Sequence, residues 1–251
     1  MEYARLGNSD IEVSKLCVGC MSFGKPSADF HEWTLDPEKT EKIICHALNI
    51  GINFFDTANT YSHGTSEEYL GMAIRKNIPR DKVILASKVY FNEGHLSRNA
   101  IMREIDGTLR RLNTDYLDLY IIHRFDYTTP IEETMEALDS LVKAGKVRAL
   151  GASAMYGYQF YDMQLCARDN GFTPFVSMQN HYNLLYREDE RLHAHRTARL
   201  RQADFAAQHG IRTHCAAALI KWRQVNMTQM SLRMKKSFYV LQNLLINTTQ
   251  A

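Results

Sequence analysis

The 251 residues carry a formal net charge of +2, with 45% hydrophobic and 23% charged residues, the balance of an ordinary globular chain. No apolar run approaches bilayer-spanning length, and the start MEYARLGNSDIEVSKL lacks the apolar stretch of a signal peptide, so a cytoplasmic protein with no membrane partner is expected. The five cysteines (Cys17, Cys20, Cys45, Cys166, Cys215) are odd in number and scattered, which argues for reduced thiols and against a disulfide framework or a metal site.

In chain order, a hairpin is predicted over YARLGNSDIEVSKL, turning at Gly7 to Asp10. Short apolar runs then alternate with longer amphipathic ones. The runs LCVG (16–19), INFFD (52–56), KVILASKV (82–89), YLDLYIIH (116–123), KVRALGAS (146–153) and PFVSMQN (174–180) have the length and the Val, Ile, Leu and Phe content of strands buried on both faces. Between them lie helical patterns. DPEKTEKIICHALNIG has Asp36 as N-cap, Pro37 at the first position and Gly51 as terminator, and TSEEYLGMAIRKN opens on Thr65 or Ser66 as cap, with Glu67 and Glu68 suited to the positive helix end. SRNAIMREIDGTLRRL, PIEETMEALDSLVKAG and YGYQFYDMQLCARDNG complete the series.

Strand–helix repetition implies right-handed crossovers and a parallel sheet, either doubly wound or a (β/α)8 barrel. The first strand–helix turn, GCMSFG, is not G-x-G-x-x-G, so the dinucleotide fingerprint of the open sheet is missing and the barrel is favoured. Polar residues at successive strand ends (Asp56, Lys88, His123, Ser153, Gln179 with Asn180) favour it too, because a barrel gathers those ends on one face.

On such a face Asp56, Tyr61, Lys88 and His123 form a coherent set. A phenol and an amine titrate far above neutrality when free, but a cationic Lys88 beside Tyr61 favours the phenolate, and Asp56 holds the lysine charged. Tyr61 could then give a proton to a developing alkoxide while His123 hydrogen-bonds the same oxygen. No side chain supplies a hydride, so a nicotinamide cofactor is implied.

GINFFDTANTYSHGTSEEYLG, ILASKV, YLDLYIIHR, PIEETMEALDSLVKAGKVRALGAS and SMQNHYNLLYRE resemble the aldo-keto reductase family, in particular bacterial members related to the β-subunits of voltage-gated potassium channels. The resemblance implies a (β/α)8 barrel reducing aldehydes or ketones with NADP(H). It places the catalytic tetrad on Asp56, Tyr61, Lys88 and His123, and the nicotinamide contacts on Ser153 and Gln179, with Cys20, Met21 and Asp56 beside the ring. Where the family usually has Asn, Ser or Arg after Ser153, this chain has Ala154. Phe23, Tyr90, Phe91 and Phe125 either line a substrate pocket or pack the barrel rim.

After about residue 190 the resemblance is lost, and two segments are expected: a reductase barrel over 1–190 and an unrelated basic tail over 191–251, with ten Lys or Arg against one acid, Asp204. Only DFAAQHGIRTHCAAAL faintly echoes a helix, a Gly stop and a strand. A shifted or prematurely ended reading frame, a variant tail refolded as helices, and an anion-binding patch are the three explanations, and the first is preferred. The barrel is therefore expected to be incomplete, with weak NADP(H) binding and poor solubility following from lost phosphate loops and open strand edges. The alternative function is a noncatalytic fragment or a nicotinamide-binding regulatory partner; neither the natural substrate nor the oligomeric state is legible, and no nucleic-acid partner is expected.

Overall fold

A computed structural model of the chain describes residues 1–181 and the backbone of 212–216. The stretch after residue 190, apart from 212–216, lies outside the described residues, as does the predicted boundary. The antiparallel hairpin is present, β1 (Tyr3–Arg5) against β2 (Glu12–Ser14). The parallel strands are β3 (Cys17–Gly19), β4 (Phe54–Asp56), β5 (Ile84–Val89), β6 (Leu117–Ile122), β7 (Val147–Ser153), β8 (Phe175–His181) and β9 (Arg212–Ala216). They pair in the order β3-β4-β5-β6-β7-β8-β9.

That order decides between the two architectures. A doubly wound sheet reverses direction at a switch point, whereas here each strand lies beside the next in sequence, as in a (β/α)8 barrel. The described residues supply seven strands of that barrel. The last, β9, falls in the segment that only faintly echoed a strand, and it pairs in register with β8 from Ser177↔Arg212 to His181↔Ala216.

The helices α1 (Pro37–Asn49), α2 (Thr65–Asn77), α3 (Arg98–Leu112), α4 (Ile131–Lys143) and α5 (Gly157–Asn170) fill the predicted segments. Asp36 caps α1 as expected, its Oδ1 accepting from Lys39 N at 2.9 Å. At α2 the prediction fails by one or two residues: the N-cap is Gly64, in the left-handed region, and no side chain caps the helix. The hydroxyls of Thr65 and Ser66 are used elsewhere. Thr65 Oγ1 accepts from Lys25 N, and Ser66 Oγ donates to Cys20 O.

Period-two alternation sorts the strand residues into two apolar layers. Phe55, Leu85, Tyr120, Ile122 and Leu150 join helix residues such as Leu70, Ile101, Ile105 and Leu138 in the larger one. Phe54, Ile84, Ala86, Leu119, Ile121 and Ala149 point to the other side, where Leu6, Ile11 and Val13 of the hairpin region pack against them. The inward row therefore contains Asp56, Lys88, His123 and Ser153 by simple parity: each lies an even number of residues beyond an inward apolar one.

One buried charge ties the amino ends of the strands together. Asp118, 1% exposed, accepts from Arg80 Nη2 at 2.7 Å, Arg148 Nη1 at 2.8 Å and Leu85 N at 3.0 Å, with Arg80 also stacked over Tyr116. Removing the carboxylate strands two guanidinium groups and a buried amide. Asp118→Ala is expected to cost about 3 kcal/mol, read as a lowered urea midpoint at unchanged slope.

Candidate active site

The chain folds sharply after β4. Residues Tyr61–Gly64 form a short 3-10 turn in which Ser62 (φ 46°), His63 (φ 55°) and Gly64 (φ 88°) are all left-handed. Ser62 Oγ donates to Phe23 O, and Thr65 Oγ1 donates to Ser62 O, so neighbouring loops hold a backbone that non-glycine residues adopt reluctantly. This turn brings the Tyr61 ring over the inward end of β5.

There Lys88, 1% exposed, donates to Asp56 Oδ1, to Thr57 O at 2.8 Å and to the Tyr61 hydroxyl at 3.2 Å. All three ammonium hydrogens are thus directed, which is what burying a lysine demands. Asp56 receives a second bond, from Gln179 Nε2 at 2.8 Å. His123 follows β6, its ring edge-on to Tyr61 at 5.7 Å and to the half-exposed Phe91 at 5.0 Å. The four residues Asp56, Tyr61, Lys88 and His123 are therefore gathered in one place.

The electrostatics follow from burial and charge together. Burial alone would lower the Lys88 pKa, but the Asp56 carboxylate and the Tyr61 oxygen outweigh it, and the ammonium is held above its ordinary range. Tyr61 differs from the sequence expectation. Burial raises its phenol above the usual 10 by more than Lys88 pulls it down, with Asp56 adding to the rise, so the group is a protonated phenol at neutral pH rather than a phenolate. His123 is pushed down to about 3, mainly by burial and then by Lys88 and Arg124, so the imidazole is neutral. Its Nδ1 is sealed from solvent without a hydrogen-bond partner, and Nε2 is the nitrogen left to donate.

The expected nicotinamide contacts sit around the same strand ends. Cys20 and Met21 form the turn that follows β3, beside Asp56 in register through Gly19. Ser153 and Gln179 are cross-strand neighbours on β7 and β8, both buried. A hydroxyl beside a primary amide has the donors and acceptors a carboxamide requires, so the residues present fit a nicotinamide, with Gln179 Nε2 engaged by Asp56. Ala154 takes a left-handed φ of 47°, a conformation that Asn tolerates better than Ala. Of the four aromatics, Phe23 is fully buried and Tyr90 and Phe125 pack on the core, leaving Phe91 (45% exposed) at the mouth against His123.

Two features escaped the sequence. The Thr57 carbonyl that accepts from Lys88 is a backbone group, and no residue-type pattern announces it. A buried network of Glu67, Ser87 and Arg111 lies behind β5. Its only trace in the sequence is a Glu in the first turn of α2, where helix-end electrostatics already explains an acid. Among the described residues no three His, Cys, Asp or Glu converge as a possible metal site, and no helix is long and apolar enough to cross a membrane.

Fold and cluster together define a parallel barrel with a titratable site at its carboxyl-terminal strand ends. The chain belongs to the aldo/keto reductase family, whose model matches residues 15–221. It is 44% identical over 215 residues to versiconal hemiacetal acetate reductase of Aspergillus parasiticus (76% of this chain, 62% of the relative). It is 42% identical over 218 residues to a putative aryl-alcohol dehydrogenase of Schizosaccharomyces pombe (75% and 62%). The chain thus spans about three fifths of the length of the curated relatives it matches. The motifs alone suggest a bacterial subgroup; these relatives are fungal. Among solved structures, a thermostable aldo-keto reductase crystallised with the inhibitor epalrestat aligns with a TM-score of 0.75 at 27% identity, covering 100% of this chain and 82% of that one.

The neutral buried imidazole has a linkage consequence. An unfolded His takes up its proton near 6.5 and the folded one only near 3, so the unfolded state binds more protons between those values. Stability contributed by neutral His123 is complete above about pH 6.5 and declines as pH falls toward 3. His123→Asn should therefore lose less stability than the unaltered chain between pH 7 and pH 5, read by urea unfolding at the two pH values.

Proposed function

We propose that this chain carries the chemistry of an NADPH-dependent carbonyl reductase, with Tyr61 as general acid. One observation carries the reading: Lys88 donates to the phenol oxygen from within an ion pair to Asp56, which leaves the phenol's own hydrogen free to point away from the lysine. A carbonyl oxygen meeting that hydrogen and His123 Nε2 would gain two donors at the atom where negative charge develops. Tyr61 gives up its proton as that charge grows, and the fixed ammonium of Lys88 stabilises the phenolate left behind. Asp56 keeps the ammonium charged throughout. Bound nicotinamide would supply the hydride. Ser153 and Gln179 would hold its carboxamide, with Cys20, Met21 and Asp56 beside the ring, while Phe91 would shield one side of the mouth from water.

The reductase and dehydrogenase names of the relatives support a small carbonyl compound or alcohol as substrate. Four free thiols among the described residues suit a reducing, cytoplasmic setting. We further read 1–190 as the reductase barrel and 191–251 as a basic segment that departs from it, within which 212–216 still pairs with β8. Its last thirty residues lie beyond the family match.

The catalytic reading predicts turnover of a simple aldehyde at high NADPH concentration, falling by about 10²-fold or more in Tyr61→Phe. Turnover unaffected by that substitution would overturn it. Retained NADPH binding without turnover would favour instead a nicotinamide-sensing partner like the channel β-subunits.

A further inference from the structure

The acid–base cluster is backed by a second layer of buried polar groups that touches none of the reacting atoms. Glu67, on the first turn of α2, is 0% exposed. One carboxylate oxygen accepts from Ser87 Oγ at 2.5 Å and the other from Arg111 Nε at 2.6 Å. Ser87 is the residue before Lys88 on β5, so by strand alternation it points at the helix layer while Lys88 points inward. Its neighbour Ser66, also 0% exposed, bonds Thr57 Oγ1 at 2.9 Å and Cys20 O at 2.7 Å. Thr57 is the residue whose carbonyl accepts from Lys88. Two consecutive residues of one helix thus grip the neighbours of Lys88 from both sides, and the same helix begins four residues after Tyr61.

A carboxylate removed from solvent is unfavourable unless matched, and Arg111 is the match. The chain is shaped to admit it. A Cβ on Gly64 would lie 2.7 Å from Arg111 Cδ, and one on Gly107 would lie 2.9 Å from its Nη1. Gly64 is also the left-handed residue that ends the Tyr61 turn (φ 88°), so the guanidinium rests against the turn that aims the phenol.

We propose that Glu67, with Ser66, is a positioning residue: the first turn of α2 fixes the Tyr61 hydroxyl and the Lys88 ammonium at hydrogen-bonding distance. The inference rests on the reductase reading for its effect on rate, but its geometric content stands apart from it. Loosening the grip lets the ammonium drift from the phenol, which loses the one neighbouring charge that draws its proton affinity down. The groups that face the phenol are Lys88, Asp56, Cys20 and His123, and none of them is altered by a change at position 66, 67 or 87.

Glu67→Gln leaves Arg111 without its counter-charge and endangers folding, so the decisive variants are Ser87→Ala and Ser66→Ala. Two readouts are taken on the full chain. The first is the titration midpoint of Tyr61, followed by NMR with ring-labelled tyrosine and assigned by its loss in Tyr61→Phe; it requires no substrate. A rise of about half a pH unit or more in either variant is expected. The second is the kinetic split, with kcat lower by about tenfold and KM for the aldehyde unchanged. A role confined to stability would lower the melting temperature and leave the midpoint alone, and an unmoved midpoint in both variants overturns the proposal. A raised midpoint in a chain that turns over no aldehyde would sustain the positioning role and reject the reductase reading.

Discussion

The ion pair between Lys88 and Asp56 is the constraint on which the rest of the site depends. A lysine buried this deeply is tolerable only as a fully bonded cation, and its three bonds reach the end of β4, the loop after it and the phenol carried by the next turn. Those bonds fix how β4, β5 and the Tyr61 turn meet, so the demands of burying one charge also set the geometry of the phenol. Neutral His123 follows mainly from its own burial and then from the same ammonium, beside which a second cation is disfavoured.

The fold was legible because its signals are local and repeated. Each strand from β3 to β7 falls within a predicted apolar run, β8 overruns its run by one residue, and Asp36 caps α1 as its sequence position suggests. The start of α2 was not, because Thr65 and Ser66 look like caps in sequence and are recruited by loops about forty residues away. A tertiary partner outbid the local one. Lacking Gly-x-Gly, GCMSFG pointed away from a doubly wound sheet, and the sequential strand order agrees with that reading.

The site was legible in its members and less so in its electrostatics. Asp56, Tyr61, Lys88 and His123 could be chosen by strand-end position, whereas the sign of the Tyr61 shift depends on how much burial opposes Lys88, a three-dimensional quantity. Glu67 was hidden by a sufficient simpler explanation: an acid in a first helical turn needs no buried arginine to justify it. Phe23 and Phe91 could not be told apart as aromatics in strand-end loops, yet one is core and the other stands at the mouth.

The alternation of inward and outward rows has a bearing on how the chain finds its fold. If β5 paired one residue out of step, Ser87 would turn inward and the Lys88 ammonium would be driven into the oily layer shared by Leu70, Ile101 and Ile105, far from any carboxylate prepared for it. Misregistered β5 is thus penalised by the very group around which the candidate site is built, and Lys88 proofreads the strand that carries it.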